Sequence, residues 1–268
     1  TKNKIPNALL FYGNEGVGKF GHAIEFCNLV LSRNNKNVYK RIKTNQHQNI
    51  NYILPLPKSK AIRKNDPAIK TLSNKDIDNI YNQITQKLDN PYHKIFIDKA
   101  NTILINSIRD VKKNISLSLY ENSYNVFIIL DAEKLCYPKN ESANALLKIL
   151  EEPNDKNLFI LITSYKSKLI DTITSRCTKI YFPNIDKKLV KDFFSNQYKL
   201  EEDKIEIIAS LCCSNISSGI ELMDNFNEKI ETLNKMIQLL FYYDLETWQK
   251  FVTKLKGKEN LKYYLNLI

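Results

Sequence analysis

The chain is short of cysteine, short of arginine and free of long apolar runs, and each shortage excludes a class of protein. Its five cysteines, Cys27, Cys136, Cys177, Cys212 and Cys213, are odd in number and include no C-x-x-C pair. Neither a disulfide framework nor a zinc site is therefore expected, and the thiols read as small core residues. No stretch approaches the roughly 18 consecutive apolar residues that a membrane-spanning helix needs. Thr1-Lys2-Asn3-Lys4 leads into no secretory apolar segment, so a cytoplasmic protein without a membrane partner is expected. Arginine occurs only as Arg33, Arg41, Arg63, Arg109 and Arg176 among forty basic residues.

What is present is ample for folding. The 268 residues are 43% hydrophobic and 26% charged, enough for one large or two to three smaller domains. The net charge of +11 favours polyanionic partners such as nucleic acid, but it is concentrated. Residues 33–70 carry +9, whereas 1–32, 71–183 and 184–268 carry +1, +2 and −1. Asparagine and isoleucine are abundant, as in an AT-rich coding sequence, so bulk lysine says less than the position of each arginine.

Apolar spacing sets out the elements. Ala8–Tyr12 reads as a strand ending in a glycine-rich turn, and His22–Leu31 as a helix. Residues 33–70, broken by Pro55, Pro57 and Pro67, read as loop with one short strand at Ile50–Leu54. Ser73 or Asn74 caps a helix through Leu88, and Ile95-Phe96-Ile97 reads as a buried strand. A helix over Ile105–Leu119, a strand over Val126–Leu130 and a helix over Ser142–Glu151, stopped by Pro153, follow. Then come a strand at Leu158–Ile162, a short helix at Ile170–Ser175 and a last strand at Ile180–Phe182. The alternation predicts an α/β domain with a mostly parallel sheet covered on both faces. From Asp186 onward the periodicity is helical. The expected division is 1–183 for the α/β domain, with helical segments 184–230 and 231–268 after it.

Gly13-Asn14-Glu15-Gly16-Val17-Gly18-Lys19-Phe20 fits the phosphate-loop pattern G-x-x-x-x-G-K-[ST] up to its last position. Such a loop turns backbone N–H groups and a helix N-terminus toward a phosphate, and its lysine reaches the β/γ oxygens. The last position normally supplies a hydroxyl to Mg²⁺, and Phe20 has none. The partner strand of such a site ends in two carboxylates. Here Val126-Phe127-Ile128-Ile129-Leu130-Asp131-Ala132-Glu133 has two that are not adjacent.

The run Asn144-Ala145-Leu146-Leu147-Lys148-Ile149-Leu150-Glu151-Glu152-Pro153, followed by Ser175-Arg176-Cys177, resembles the clamp-loader subunits of bacterial DNA polymerase III, members of the AAA+ class. Ile105-x-x-Ile108-Arg109 is similar to a helix of the same family. The resemblance covers residues about 5 to 225 and is best to the delta-prime type. It implies a RecA-like domain, a small helical lid at 184–230 and a collar at 231–268, short for the family. Such subunits, gamma/tau and delta among them, form a hetero-pentameric ring that places a sliding clamp on primer-template DNA.

Laid on the family's strand motif without a gap, Leu130 takes the place of the metal-binding Asp and Asp131 that of the water-activating Glu. In the other register Asp131 is the metal ligand and Ala132 replaces the Glu. The lid's Gly-x-x-Arg-like context is occupied by Ser217-Ser218-Gly219-Ile220-Glu221-Leu222-Met223, and no arginine follows Arg176. The resemblance therefore implies a subunit that does not hydrolyse ATP. Arg176 matches the family's arginine finger, given in trans to a neighbour's ATP site. Gly13, Gly16, Gly18 and Lys19 either retain ATP or ADP without turnover or form a vestigial loop. Thr163-Ser164, at the family's γ-phosphate sensor, are expected to be structural only. The family's four-cysteine zinc module is missing, since residues 33–70 hold no cysteine and His47 alone makes no zinc site. Arg109, Lys112 and Lys113 lie on a helix that in the family faces DNA, and the basic segment either meets phosphates or is a solvated loop. The C-terminal aromatics Phe241-Tyr242-Tyr243 and Trp248 recur at helical spacing and read as core. A hydrolysing gamma/tau-like subunit and a DNA-binding scaffold on an inherited AAA+ fold are the alternative functions.

Overall fold

The computed structural model describes residues 5–32, 35–58, 63, 65–117, 124–152, 156–241, 245–255 and 264–265. The chain divides into two compact units, Thr1–Asn184 and Ile185–Ile268.

Unit 1 is built on five strands: β1 (Ala8–Tyr12), β2 (Ile50–Ile53), β3 (Asn125–Ile129), β4 (Asn157–Thr163) and β5 (Thr178–Tyr181). Their order in the sheet is β2-β3-β4-β1-β5 and every ladder is parallel. Successive side chains of a strand point to opposite faces, so the continuous apolar runs of β1, β3 and β4 feed two cores at once. Leu9, Phe11, Val126, Ile128, Leu158 and Ile160 form one cluster under α1 (Lys19–Ser32), α2 (Lys36–Lys43) and α3 (Asn74–Asp89). Leu10, Phe127, Ile129, Phe159 and Leu161 form the other, under α4 (Ile105–Leu117), α5 (Glu141–Glu151) and α6 (Asp171–Arg176). The parallel α/β architecture expected from the alternation is the one observed. Coverage fails only at the edge, where β5 pairs with β1 alone and all four of its residues are exposed.

Local chemistry fixes α3. The Ser73 hydroxyl accepts from the Asp76 N–H at 3.2 Å while Asp76 Oδ2 accepts from the Ser73 N–H at 3.1 Å, a reciprocal capping box.

Two expectations need correction. The basic segment is not all loop: α2 forms within it, N-capped by Asn35, whose side chain accepts from the Asn37 N–H. Its one buried residue, Ile42, anchors it in the first cluster, and Lys40, Arg41 and Lys43 face the negative end of its dipole. Ile95-Phe96-Ile97 is not a strand. Ile95 and Ile97 pack against the same cluster without joining the sheet, Phe96 is 62% exposed, and its N–H goes to Gln83 Oε1 of α3. The expected end of α4 at Leu119 and the stop at Pro153 lie outside the described residues.

Unit 2 is helical among the described residues: α7 (Lys187–Gln197), α8 (Glu202–Leu211), α9 (Ile216–Met223), α10 (Phe226–Phe241) and α11 (Leu245–Lys254). Val190, Phe194, Ile205, Ile208 and Leu222 are its core. Gly219 lies so close to Phe194 that a Cβ there would sit 2.5 Å from the ring's Cζ, which is why no larger residue fits. Residues 230 and 231 fall inside the continuous α10. Phe241 is 78% exposed rather than core, since it sits at the open end of α10; Trp248 is half-buried beside Phe251, and Tyr242 and Tyr243 lie outside the described residues. Among the described residues no helix is long and apolar enough to cross a membrane.

Candidate functional site

The turn from β1 into α1 places the glycine-rich loop at the end of a central strand. Gly13 has φ +151°, and a Cβ there would lie 2.2 Å from the Phe182 carbonyl oxygen, so backbone packs directly on backbone. Gly18, at φ +88°, takes a conformation that only glycine holds easily. Lys19, the first residue of α1, is buried. Its Nζ donates to the Gly13 and Asn14 carbonyls at 2.7 and 2.5 Å and to Ser164 Oγ at 3.2 Å. Burial lowers its pKa to about 8 against the opposing pull of Glu15, Glu133 and Asp131.

Phe20 and Leu130 settle into one apolar cluster, 5% and 6% exposed. The Phe20 ring lies 6.4 Å from that of Tyr52, and Lys87 Nζ stands 5.1 Å from its centroid. Asp131 lies in the left-handed region, φ 48°, and pairs with Lys134 at 3.4 Å. Phe20, at the place where the G-x-x-x-x-G-K-[ST] pattern has a metal-ligating hydroxyl, is a buried ring and offers no oxygen. Glu133 accepts from Thr163 Oγ1 at 2.6 Å, and burial raises its pKa above the ordinary carboxylate value. Thr163 and Ser164 are therefore bonded to Glu133 and Lys19 respectively.

Arg176 closes α6 on the other side of the sheet. Its Nη1 donates to the Thr172 carbonyl at 3.0 Å, and its Nη2 meets Glu151 Oε1, at the end of α5, at 2.6 Å. On α4, Arg109 Nη1 donates to Asn106 Oδ1 at 3.1 Å. Lys113 bonds the Asn65 carbonyl and pairs with Asp110, while Lys112 is exposed. Asp110 and Asn106 in turn hold the backbone of Ala68, Arg63 and Asp66. Lys113, and Arg109 through Asn106, thus help to hold the backbone at Arg63, Asn65 and Asp66.

Sequence reasoning missed a strap beside that loop. Pro91 lies 3.3 Å from where a Gly21 Cβ would be, the Tyr92 hydroxyl 3.5 Å from one at Gly18, and Lys94 pairs with Glu15 at 3.4 Å. Lys87 Nζ fastens the strap by donating to the His93 carbonyl at 2.6 Å and that of Pro91 at 3.4 Å. The apolar residues 95–97 that suggested a strand hid it.

Residues 1–186 match the family model described as DNA polymerase III, delta subunit. The chain belongs to this DNA polymerase III family. The family match spans the loop, Leu130 and Arg176, and ends two residues into unit 2. The chain is 28% identical over 153 residues to DNA polymerase III subunit delta' of Bacillus subtilis (strain 168), covering 54% of this chain and 45% of that protein. To subunit tau of the same organism it is 33% identical over 135 residues, 48% of this chain and 23% of that one. To subunit gamma/tau of Mycoplasma genitalium (strain ATCC 33530 / DSM 19775 / NCTC 10195 / G37) it is 26% identical over 232 residues, 85% and 32%. The chain spans less than half the length of each of these relatives.

Proposed function

We propose that this chain is a delta-prime-like subunit of the DNA polymerase III clamp loader, silent as an ATPase, that lends Arg176 to the ATP site of a neighbouring subunit. The observation that carries the reading is the burial of the Phe20 ring at the last position of the phosphate-loop pattern, where a hydroxyl would meet Mg²⁺. A phosphoryl transfer of this class relies on Mg²⁺ at the β- and γ-oxygens; Phe20 cannot ligate it, and in either register of Leu130-Asp131-Ala132 one of the two carboxylates is replaced by an apolar residue.

Arg176 is what the fold retains for that chemistry. A guanidinium is always charged, and its planar fork suits phosphate oxygens. Set against a neighbour's γ-phosphate, it stabilises the charge that develops as the bond breaks, an effect of about 10³–10⁵ in rate where such fingers act. Its 36% exposure leaves the side chain reachable from outside the chain. In this reading the partners are gamma/tau and delta subunits in a five-membered ring, with the sliding clamp and primer-template DNA met through the complex. Segments 184–230 and 231–268 serve as lid and collar.

The isolated chain is expected to hydrolyse no ATP above background in Mg²⁺ buffer, measured by phosphate release. Turnover matching that of a gamma/tau subunit would make it a hydrolysing member instead.

A further inference from the structure

We propose that the outward face of α2 binds the phosphate backbone of nucleic acid, a contact on a different element from the α4 helix that the family resemblance directs at DNA. This goes beyond the arginine-donor reading and does not depend on it.

α2 turns Val38 and Ile42, one helical turn apart, onto the first core cluster. The opposite side is left to Lys36, Asn37, Lys40 and Arg41, all four exposed. Among the described residues Lys36 and Lys40 meet no carboxylate, and Arg41 makes one long contact, from Nη2 to the Gln46 carbonyl at 3.5 Å. Glu25, the acid that α1 sets against this helix, is already engaged: it accepts from the Tyr39 hydroxyl at 2.9 Å and pairs with Lys43 at 3.7 Å. Asp66, the one acid in residues 33–70, is bonded to Lys70 at 2.7 Å. Three cations therefore stand unanswered on one short helix face.

The helix keeps them against its own stability. Lys36 opens α2 at the positive end of the dipole, and Lys36 and Lys40 are like charges at i and i+4. A coding bias toward lysine adds cations, but it does not strip out the carboxylates that balance them in the rest of the chain, where 71–183 and 184–268 carry +2 and −1. A polyanion laid along the face relieves both penalties.

The chemistry of the face selects which polyanion. Protein interfaces are built round apolar and aromatic anchors, and this face offers only ammonium, guanidinium and amide groups. Those are the groups that meet phosphate oxygens without reading a base. The eight residues of α2 span about 12 Å, and over that length one strand of a duplex rises past about three or four phosphates. Three unanswered cations match that number.

The test is fluorescence anisotropy of a labelled DNA duplex and a labelled single strand, each of arbitrary sequence, titrated with the full chain from about 50 to about 200 mM salt. Neutralising three phosphates predicts that duplex affinity falls about forty-fold over that range. Lys36→Gln/Lys40→Gln/Arg41→Gln is expected to bind about ten-fold or more weakly at the low-salt end and to lose most of the salt dependence, whereas Lys36→Arg/Lys40→Arg/Arg41→Lys binds as the parent does. Tighter duplex identifies the phosphates of a double helix as the ligand, and tighter single strand those of an open one. No binding at about 50 mM salt, or a folded neutral variant that binds as the parent does, overturns the proposal. If the loss follows Lys112→Gln instead, the contact belongs to α4. Polyglutamate that displaces the probe as well as unlabelled DNA, charge for charge, also overturns it, since the face would then suit acidic proteins. Should the triple variant not fold, Lys40→Gln alone decides, by a salt slope lowered by about 0.9 or left unchanged.

Discussion

Arg176 Nη2 lies 2.6 Å from Glu151 Oε1, so the arginine at the end of α6 is held by the last residue of α5. Both belong to the two sequence runs that carry the family resemblance, and the pair joins those runs in space. Both side chains are substantially exposed, 36% and 49%, which keeps the pair weak in water and exchangeable for a stronger anion.

Glu151→Gln is accordingly expected to change the unfolding free energy by less than about 1 kcal/mol, read from urea denaturation. A loss of several kcal/mol would make the pair a structural element of the fold rather than a resting place for the guanidinium.

Phe20→Ser exchanges a buried ring for a small hydroxyl inside the first cluster. The expected cost is about 3–5 kcal/mol of stability, with no gain of ATP hydrolysis, because one carboxylate of the family's pair is still missing in either register at Leu130-Asp131-Ala132. Thermal melting and phosphate release check the two halves; a stable, hydrolysing variant would contradict the account.

Much of this was legible beforehand, and the misses share a cause. The strands β1, β3 and β4 announce themselves because they are buried on both faces and continuously apolar. Helix α2 does not, because Ile42 is its one buried residue and the rest is basic and polar. The segment 95–97 misleads for the opposite reason: its apolar residues pack beside α3, outside the sheet. At the site, the loop glycines are readable from their spacing, whereas Arg176 is singled out only by the family resemblance. Lys87 has no local signal, and the Glu151 contact is not readable from its run, since each meets its partner 67 or 25 positions away.

Lys19 and Lys87 both have pKa values lowered from 10.5 to about 8, chiefly by burial. Below about 8 both the folded and unfolded forms are charged, and the cost of burying the ammonium groups is felt in full. Between about 8 and 10.5 the unfolded chain binds more protons, so this contribution to stability rises with pH. Relative to Lys87→Met, the parent chain is expected to gain unfolding free energy from pH about 7 to about 10. Parallel curves would show that Lys87 is not buried as described.

Cys213 is exposed, whereas Cys27, Cys177 and Cys212 are buried, with burial pushing the Cys27 thiol up to about 12. In the native protein an aromatic disulfide reagent is expected to modify Cys213 first and to leave Cys27 untouched until unfolding, as peptide mapping would show. Early labelling of Cys27 would place α1 outside the core.

The central claim is that this chain acts on ATP held by another. It is tested by DNA- and clamp-stimulated ATP hydrolysis in a loader reconstituted with gamma/tau and delta subunits of the same genome, with the parent chain or Arg176→Ala. Normal assembly with turnover lowered as one disabled site requires, that site slowed by about 10³ or more, is the predicted result. Assembly and turnover both unchanged would leave Arg176 a surface residue paired to Glu151 and contradict the account.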